Sequence, residues 1–258
     1  MNDSNNISGR RLDFRLDGKV AIITGGGSGI GKAIAELFAA KGARLALLGR
    51  SESVRKTAEA LGGEQARHFI LDVTDFARIP PTIEEVFAHF GAIDILVNNA
   101  GIAFRESAEE TSEDKWDLTM AVNLKAVFLL SKAVGHYFLK QGHGKIVNIA
   151  SQAAVVALAN HLAYCTSKYG LLGLTQVLAL EWGPRGVQVN AVSPTVVLTE
   201  MGRDAWAGAP GEAMKQEIPL RRFAMPEEVA AATVFLASDA ADMITGANLL
   251  VDGGYTIH

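Results

Sequence analysis

A chain of 258 residues, 49% hydrophobic and 20% charged, can bury one sizeable core, which excludes a disordered, collagen-like or coiled-coil protein. Its 24 Lys and Arg against 28 Asp and Glu leave a formal charge of -4, so no global positive field draws nucleic acid or an anionic membrane. The lone Cys165 excludes an intramolecular disulfide and multi-cysteine zinc patterns and points to a reducing compartment.

Residues 1–15 are polar and lack the apolar stretch of a signal peptide, so a flexible N-terminal extension and a cytoplasmic location are expected. VAIIT at 20–24 reads as a short apolar strand that ends at a glycine cluster, and IGKAIAELFAAKG reads as the helix after it. RLALL at 44–48 is a second strand, and SESVRKTAEALGG a helix ending at Gly62-Gly63. HFILDV and IDILVNNAG follow as strands three and four, with a helix between them that stops near Phe90-Gly91.

Residues 112–140 form one long amphipathic helix or two in succession, and KIVNIAS at 145–151 is strand five. Residues 162–182 make a helix stopped by Gly183-Pro184; VQVNAVS is strand six, and ANLLVDGG at 247–254 is strand seven. Residues 146–167 carry no Asp, Glu, Lys or Arg, but Asn148, Ser151, Gln152, Asn160 and His161 would each be costly in lipid, so a buried strand and a loop are expected there.

Apolar strands without strict alternation, regularly followed by helices, predict one α/β domain over 1–258: a doubly wound, parallel, seven-stranded, Rossmann-type sheet with helices on both faces. Residues 199–225 are the least regular interior stretch and follow the carboxyl end of strand six, where ligands of such sheets bind. They are a candidate substrate lid, with an inert surface insertion as the alternative.

The first turn reads Thr24-Gly25-Gly26-Gly27-Ser28-Gly29-Ile30-Gly31. Its glycines let backbone N–H groups approach a pyrophosphate at a helix N-terminus; the stricter G-x-G-x-x-G spacing is not met and glycine content alone is a weak signal, but the strand before it and the amphipathic helix after it favour a dinucleotide site over a structural turn. No Gly-Lys-Ser/Thr ends the turn, which excludes a P-loop.

Strand two should deliver the residue that reads the adenosine ribose, where a carboxylate favours NAD and a cation NADP. Here it ends Gly49-Arg50-Ser51. Arg50 could clamp a 2'-phosphate, stack on adenine or point to solvent, with Glu52 blunting its field, so the choice between NAD and NADP stays open. Asp72 is either an adenine partner or a capping carboxylate.

Tyr164 and Lys168 stand four residues apart and share a helix face. A phenol titrates near pH 10, and an adjacent ammonium favours phenolate, so the pair can act as an acid/base; a core tyrosine beside a surface lysine is the bland alternative. Ser151 closes strand five, where its hydroxyl can bond a substrate oxygen, and Asn123 is a polar break in AVNLKAVFLL that could hold a water or serve helix packing. Gln152 and His161 flank this centre with groups for a multi-hydroxyl substrate. The six histidines are scattered and no HExxH occurs, so no metal is expected.

Together the TGGGSGIG turn, Asn98-Asn99-Ala100-Gly101, Asn123, Ser151, the Tyr164/Lys168 pair, Asn190 and Pro194 resemble a classical short-chain dehydrogenase/reductase from about Leu16 to Tyr255. That resemblance implies that Gly25, Ser28, Gly29, Ile30 and Gly31 border the diphosphate and that Asp72 and Val73 border the adenine. Asn98, Ala100 and Gly101 would support the middle of the cofactor. Pro194, Val197 and Thr199 would lie at the nicotinamide, and Lys168 would hold its ribose. It also implies a catalytic tetrad of Asn123, Ser151, Tyr164 and Lys168, with Lys168 lowering the phenol's pKa during hydride transfer between a nicotinamide and a carbinol carbon.

Two departures stand out. Pro194-Thr195 replaces the family's usual Pro-Gly, and Gly49 replaces the NAD-selecting Asp. The layout is similar to bacterial polyol and sugar dehydrogenases, and a small polyol or sugar derivative is the expected substrate. A 3-oxoacyl thioester reductase is the second reading, a non-catalytic nucleotide-binding protein the third. A homotetramer is expected, with no nucleic-acid or membrane partner.

Overall fold

The computed structural model describes residues 13–200 and 206–257. Seven strands form one parallel sheet in the order β3-β2-β1-β4-β5-β6-β7: β1 (Val20–Thr24), β2 (Arg44–Gly49), β3 (Ala66–Ile70), β4 (Ile95–Asn98), β5 (Gly144–Ile149), β6 (Val187–Pro194) and β7 (Asn248–Val251). The helices are α1 (Gly29–Ala40), α2 (Glu52–Ala60), α3 (Ile79–Phe90), α4 (Glu113–Met120), α5 (Ala126–Gln141), α6 (Leu162–Trp182), α7 (Ala209–Glu217) and α8 (Pro226–Ala237).

Successive strand residues feed opposite layers, as the two-residue strand period requires. Ala21 and Ile23 join Leu45, Leu47, Val97 and Val147 in one buried cluster with Ile34 and Phe38 of α1 and Val229 and Val234 of α8. Val20 and Ile22 join Ala46, Leu48, Leu96 and Ile146 in the other, under Ile83 of α3, Val134 of α5 and Trp182 of α6. Both faces of the central strands are therefore dry, which explains their unbroken apolar runs.

Four strands end earlier than the sequence suggests: strand five stops at Ile149, two residues short of Ser151, and in the other three side-chain hydrogen bonds account for the difference. Strand three was expected to reach Val73, but Asp72 Oδ1 takes the Thr74 N–H and hydroxyl and turns the chain after Ile70. Strand four was expected over 93–101, but the N–H groups of Asn99 and Ala100 leave the ladder for Thr24 Oγ1, each at 3.0 Å. Strand seven was expected to reach Gly254, but Asp252 collects the N–H groups of Gly254 and Thr256 at 3.0 Å.

The 112–140 stretch is one continuous helical rod from Glu113 to Gln141, with a π-turn over Ala121–Lys125 joining α4 to α5. It is long and apolar enough to cross a membrane, yet Val127, Leu130, Val134 and Phe138 are buried in the core.

Helix α8 has no counterpart in the sequence reading: Pro226 occupies its first turn and Glu228 accepts the Met225 N–H at 2.8 Å, a start signal hidden behind the irregular stretch before it. That stretch, the expected lid at 199–225, contains α7, while its residues 201–205 lie outside the described residues. Its base is pinned, because the Leu198 N–H donates to the Ala224 carbonyl at 2.9 Å and the Ala224 N–H to the Val196 carbonyl at 3.0 Å. Most of the expected extension, 1–12, also lies outside the described residues. Phe14 packs edge-on against Phe235, 5.8 Å between ring centres, and Leu16 is buried.

Candidate active site

The strand order reverses direction between β1 and β4, which opens a crevice at their carboxyl ends. Thr24 closes β1 there, and its hydroxyl, by taking the Asn99 and Ala100 N–H groups, stitches the end of β4 to the glycine turn. Asn99 Nδ2 completes the seam by donating to the carbonyls of Thr24 and Gly25 at 2.9 and 3.2 Å. Neither residue stands out in the sequence as part of the site, although Thr24 opens the glycine turn and Asn99 lies within Asn98-Asn99-Ala100-Gly101. Asn98 was expected at the cofactor; its side chain instead donates to Asn148 Oδ1 at 2.8 Å in the core.

The glycine turn suits a diphosphate on geometric grounds. A Cβ at Gly31 would lie 2.3 Å from the Gly25 carbonyl oxygen and 2.4 Å from Asn99 Nδ2, so only glycine lets α1 start this close to β1. Ser28 caps α1 in extended geometry without spending its hydroxyl on the helix, which leaves that donor and the N-terminal N–H groups of α1 for an anion. Gly29 has φ +51°, and a Cβ there would meet Thr199 Cγ2 at 2.8 Å, so Thr199 stands directly beside the turn. The loop after β6, including Val197 and Thr199, thus reaches the same crevice. Arg50 and Asp72 meet at its far end, Arg50 Nη1 donating to Asp72 Oδ2 at 2.7 Å.

Tyr164, Lys168 and Ser167 lie in the first two turns of α6, opposite the π-turn that carries Asn123. Asn123 is buried and fully employed: Oδ1 accepts the Ile102 N–H at 2.9 Å, while Nδ2 donates to the Ile102 carbonyl at 2.8 Å and to Ser167 Oγ at 3.1 Å. The wider helical turn places this amide between the loop after β4 and α6, a use of π geometry common at functional sites. Gly101 sits over the same group, with its Cβ direction 3.4 Å from Asn123 Oδ1 and 3.8 Å from Lys168 Nζ.

Lys168 is buried, and its ammonium donates to the Ile149 carbonyl at 2.8 Å. Desolvation pushes its pKa down to about 8. Desolvation also raises the Tyr164 phenol, against a hydrogen bond with Ser151 that lowers it. The family resemblance implies that Lys168 depresses the phenol; burial of Tyr164 acts in the opposite direction, and the Ser151 hydrogen bond offsets part of it. Ser151 is buried at the end of β5, and its Oγ accepts the Ala153 N–H at 3.1 Å.

His161 also falls at this centre, and Gln152 follows Ser151 directly at the start of a short 3-10 turn. Gln152 is 3% exposed, and its Oε1 has no hydrogen-bond partner. His161 places its ring 6.3 Å from that of Tyr164, edge to face. Its Nδ1 lies 2.7 Å from the Ala159 carbonyl, which can only accept, so Nδ1 carries the proton and Nε2 is left as an acceptor.

A parallel α/β sheet with a glycine turn at its switch point and a Tyr-Lys-Ser-Asn cluster at the adjacent strand end defines a dinucleotide-dependent oxidoreductase. A family model described as enoyl-(acyl carrier protein) reductase matches residues 25–256. D-threitol dehydrogenase of Mycolicibacterium smegmatis is 56% identical over 95% of this chain and 96% of its own length. The NAD-dependent glycerol dehydrogenase of Listeria innocua is 51% identical over 95% of this chain and 96% of its own. The crystal structure of a gluconate 5-dehydrogenase from Burkholderia cenocepacia with NADP and tartrate is 37% identical, with a TM-score of 0.91 over 96% of this chain and 99% of that one. The chain belongs to the short-chain dehydrogenase/reductase family and is an NAD(P)-dependent oxidoreductase acting on an alcohol or ketone.

Proposed function

We propose that the chain oxidises a secondary hydroxyl of a small polyol or sugar derivative. The observation that carries this reading is Gln152: a buried side-chain acceptor without a donor, next in sequence to Ser151. An acceptor left so costs about 1–3 kcal/mol, a cost that a substrate hydroxyl would remove once the Gln152 side chain turns towards the crevice. His161 Nε2 offers a second acceptor beside the Tyr164 ring. The names of the threitol and glycerol dehydrogenases point to the same substrate class. A 3-oxoacyl thioester, the second reading, would meet these acceptors with a chain that has no hydroxyls to offer.

The glycine turn, Ala100, Gly101, Pro194, Val197 and Thr199 would hold a nicotinamide dinucleotide, which would supply the hydride acceptor or donor. Ser151 orients the substrate oxygen through its hydroxyl. Tyr164 takes the hydroxyl proton during oxidation and returns it during reduction. Lys168 presents its ammonium beneath the phenol, anchored at Ile149, and Asn123 keeps the loop after β4 and α6 in register around it.

The 199–225 segment closes over substrate as a lid on its pinned base, with Trp206 packed 5.8 Å from Phe223. The protein works in the cytoplasm as a homotetramer, with the exposed apolar residues Leu162, Tyr169, Val177 and Leu180 of α6 in a closed two-fold interface.

The test pairs Gln152→Ala and His161→Ala with threitol and with 2-butanol, which lacks the neighbouring hydroxyls. Each variant should lose about tenfold or more in kcat/KM on threitol and far less on 2-butanol. Equal losses on both alcohols would remove the polyol reading.

A further inference from the structure

The crevice end farthest from Tyr164 has an unusual charge arrangement. Gly49 closes β2, where a side chain would face the adenosine ribose, but a Cβ there would lie 2.7 Å from Cγ2 of the buried Val54 in α2. A carboxylate at that position is therefore closed off by packing. The next residue, Arg50, holds its exposed guanidinium against Asp72, Nη1 to Oδ2, at 2.7 Å.

Asp72 is itself fixed. Its Oδ1 accepts the Thr74 N–H at 3.0 Å and the Thr74 hydroxyl at 2.7 Å. These bonds, more than Arg50, hold its carboxyl below the ordinary range, so it stays ionised at neutral pH. The other carboxylate of this corner, Glu52 in the first turn of α2, is engaged by Arg55. Arg50 thus faces an anion that the backbone turn has already locked in place.

We propose that Asp72 is a cofactor-selecting residue: by occupying Arg50 it cancels the cation that a ribose 2'-phosphate would need, and the chain prefers the dinucleotide with a free 2'-hydroxyl. A phosphate dianion brought to Arg50 also meets the Asp72 carboxylate within the same few ångströms. A neutral hydroxyl pays no such repulsion. Selection here comes from a pair that neutralises itself, in place of a carboxylate on the strand tip.

Titration calorimetry with NADH and NADPH tests this without any substrate, and so independently of the polyol reading. Wild type should bind NADH more tightly. Asp72→Asn keeps an acceptor for Thr74 but frees Arg50, and should shift the affinity ratio towards NADPH by about tenfold or more. Arg50→Ala should leave the ratio close to wild type, and in that background Asp72→Asn should produce no shift. Tighter NADPH binding by wild type, a large loss confined to NADPH in Arg50→Ala, or a shift in Asp72→Asn that does not depend on Arg50 would each overturn the proposal.

Discussion

Lys168 donates its ammonium proton to the Ile149 carbonyl across 2.8 Å, tying the catalytic turn of α6 to the last residue of β5. That contact keeps a nearly buried cation in the core at a pKa of about 8, against 10.5 for an ordinary lysine. Between those values the unfolded chain binds more protons than the folded one, so this residue's destabilising effect is full below pH 8 and fades as pH rises towards 10.5. Lys168→Met should therefore abolish turnover yet equal or exceed wild-type stability at pH 7, with its advantage shrinking by a few kcal/mol between pH 8 and 10.5. Denaturant unfolding at a series of pH values measures this; an advantage that grows with pH would refute the buried-cation account.

The phenol of Tyr164 is raised by burial, so at neutral pH it is a ready acid and a scarce base. Ketone reduction should be efficient near neutrality, and alcohol oxidation should climb as pH rises into the alkaline range. Tyr164→Phe should lower turnover by roughly 100-fold or more and flatten both profiles while keeping cofactor affinity. Stopped-flow rates in both directions check the prediction, and an unchanged oxidation limb would reject Tyr164 as the base.

Thr24 satisfies two backbone N–H groups with one oxygen. Thr24→Val keeps the shape and removes that oxygen, leaving the Asn99 and Ala100 N–H groups without a partner. A loss of about 2–5 kcal/mol in unfolding free energy is expected, with weaker cofactor binding because the seam borders the glycine turn. A stability change below about 0.5 kcal/mol would show that the seam is not what holds β4 to β1.

How much of this was legible in the sequence depends on the range of the interaction. The sheet and its first six helical stretches follow from local periodicity, and the Tyr164/Lys168 pair from helical spacing. Strand ends were misjudged wherever a side chain took over the backbone bonds, as Asp72 does for Thr74 and Thr24 for Asn99. The employment of Asn123 on Ile102 and Ser167 depends on a π-turn that the even apolar run AVNLKAVFLL does not announce. Asn98 and Asn99 are adjacent and chemically alike, and only the pleat decides that one enters the core and the other seals the crevice. The opposing effects of burial on Tyr164 and Lys168 need the packed interior and have no local signature.

Assembly gives a further expectation. Val177 and Leu180 of α6 are 52% and 78% exposed, large apolar side chains one turn apart that would be covered in a two-fold interface. Light scattering of the wild type should report a tetramer, and Val177→Glu with Leu180→Glu should give smaller species. A wild-type monomer across micromolar concentrations would contradict the assignment.

The central claim is that this site oxidises a hydroxyl flanked by other hydroxyls, and one kinetic comparison reaches it directly. It is the ratio of kcat/KM for polyols and sugars of four to six carbons to that for an acetoacetyl thioester, measured with both cofactors in both directions. The acceptors on Gln152 and His161 predict that at least one polyol or sugar exceeds the thioester. A thioester turned over orders of magnitude more efficiently than every polyol and sugar would contradict the account.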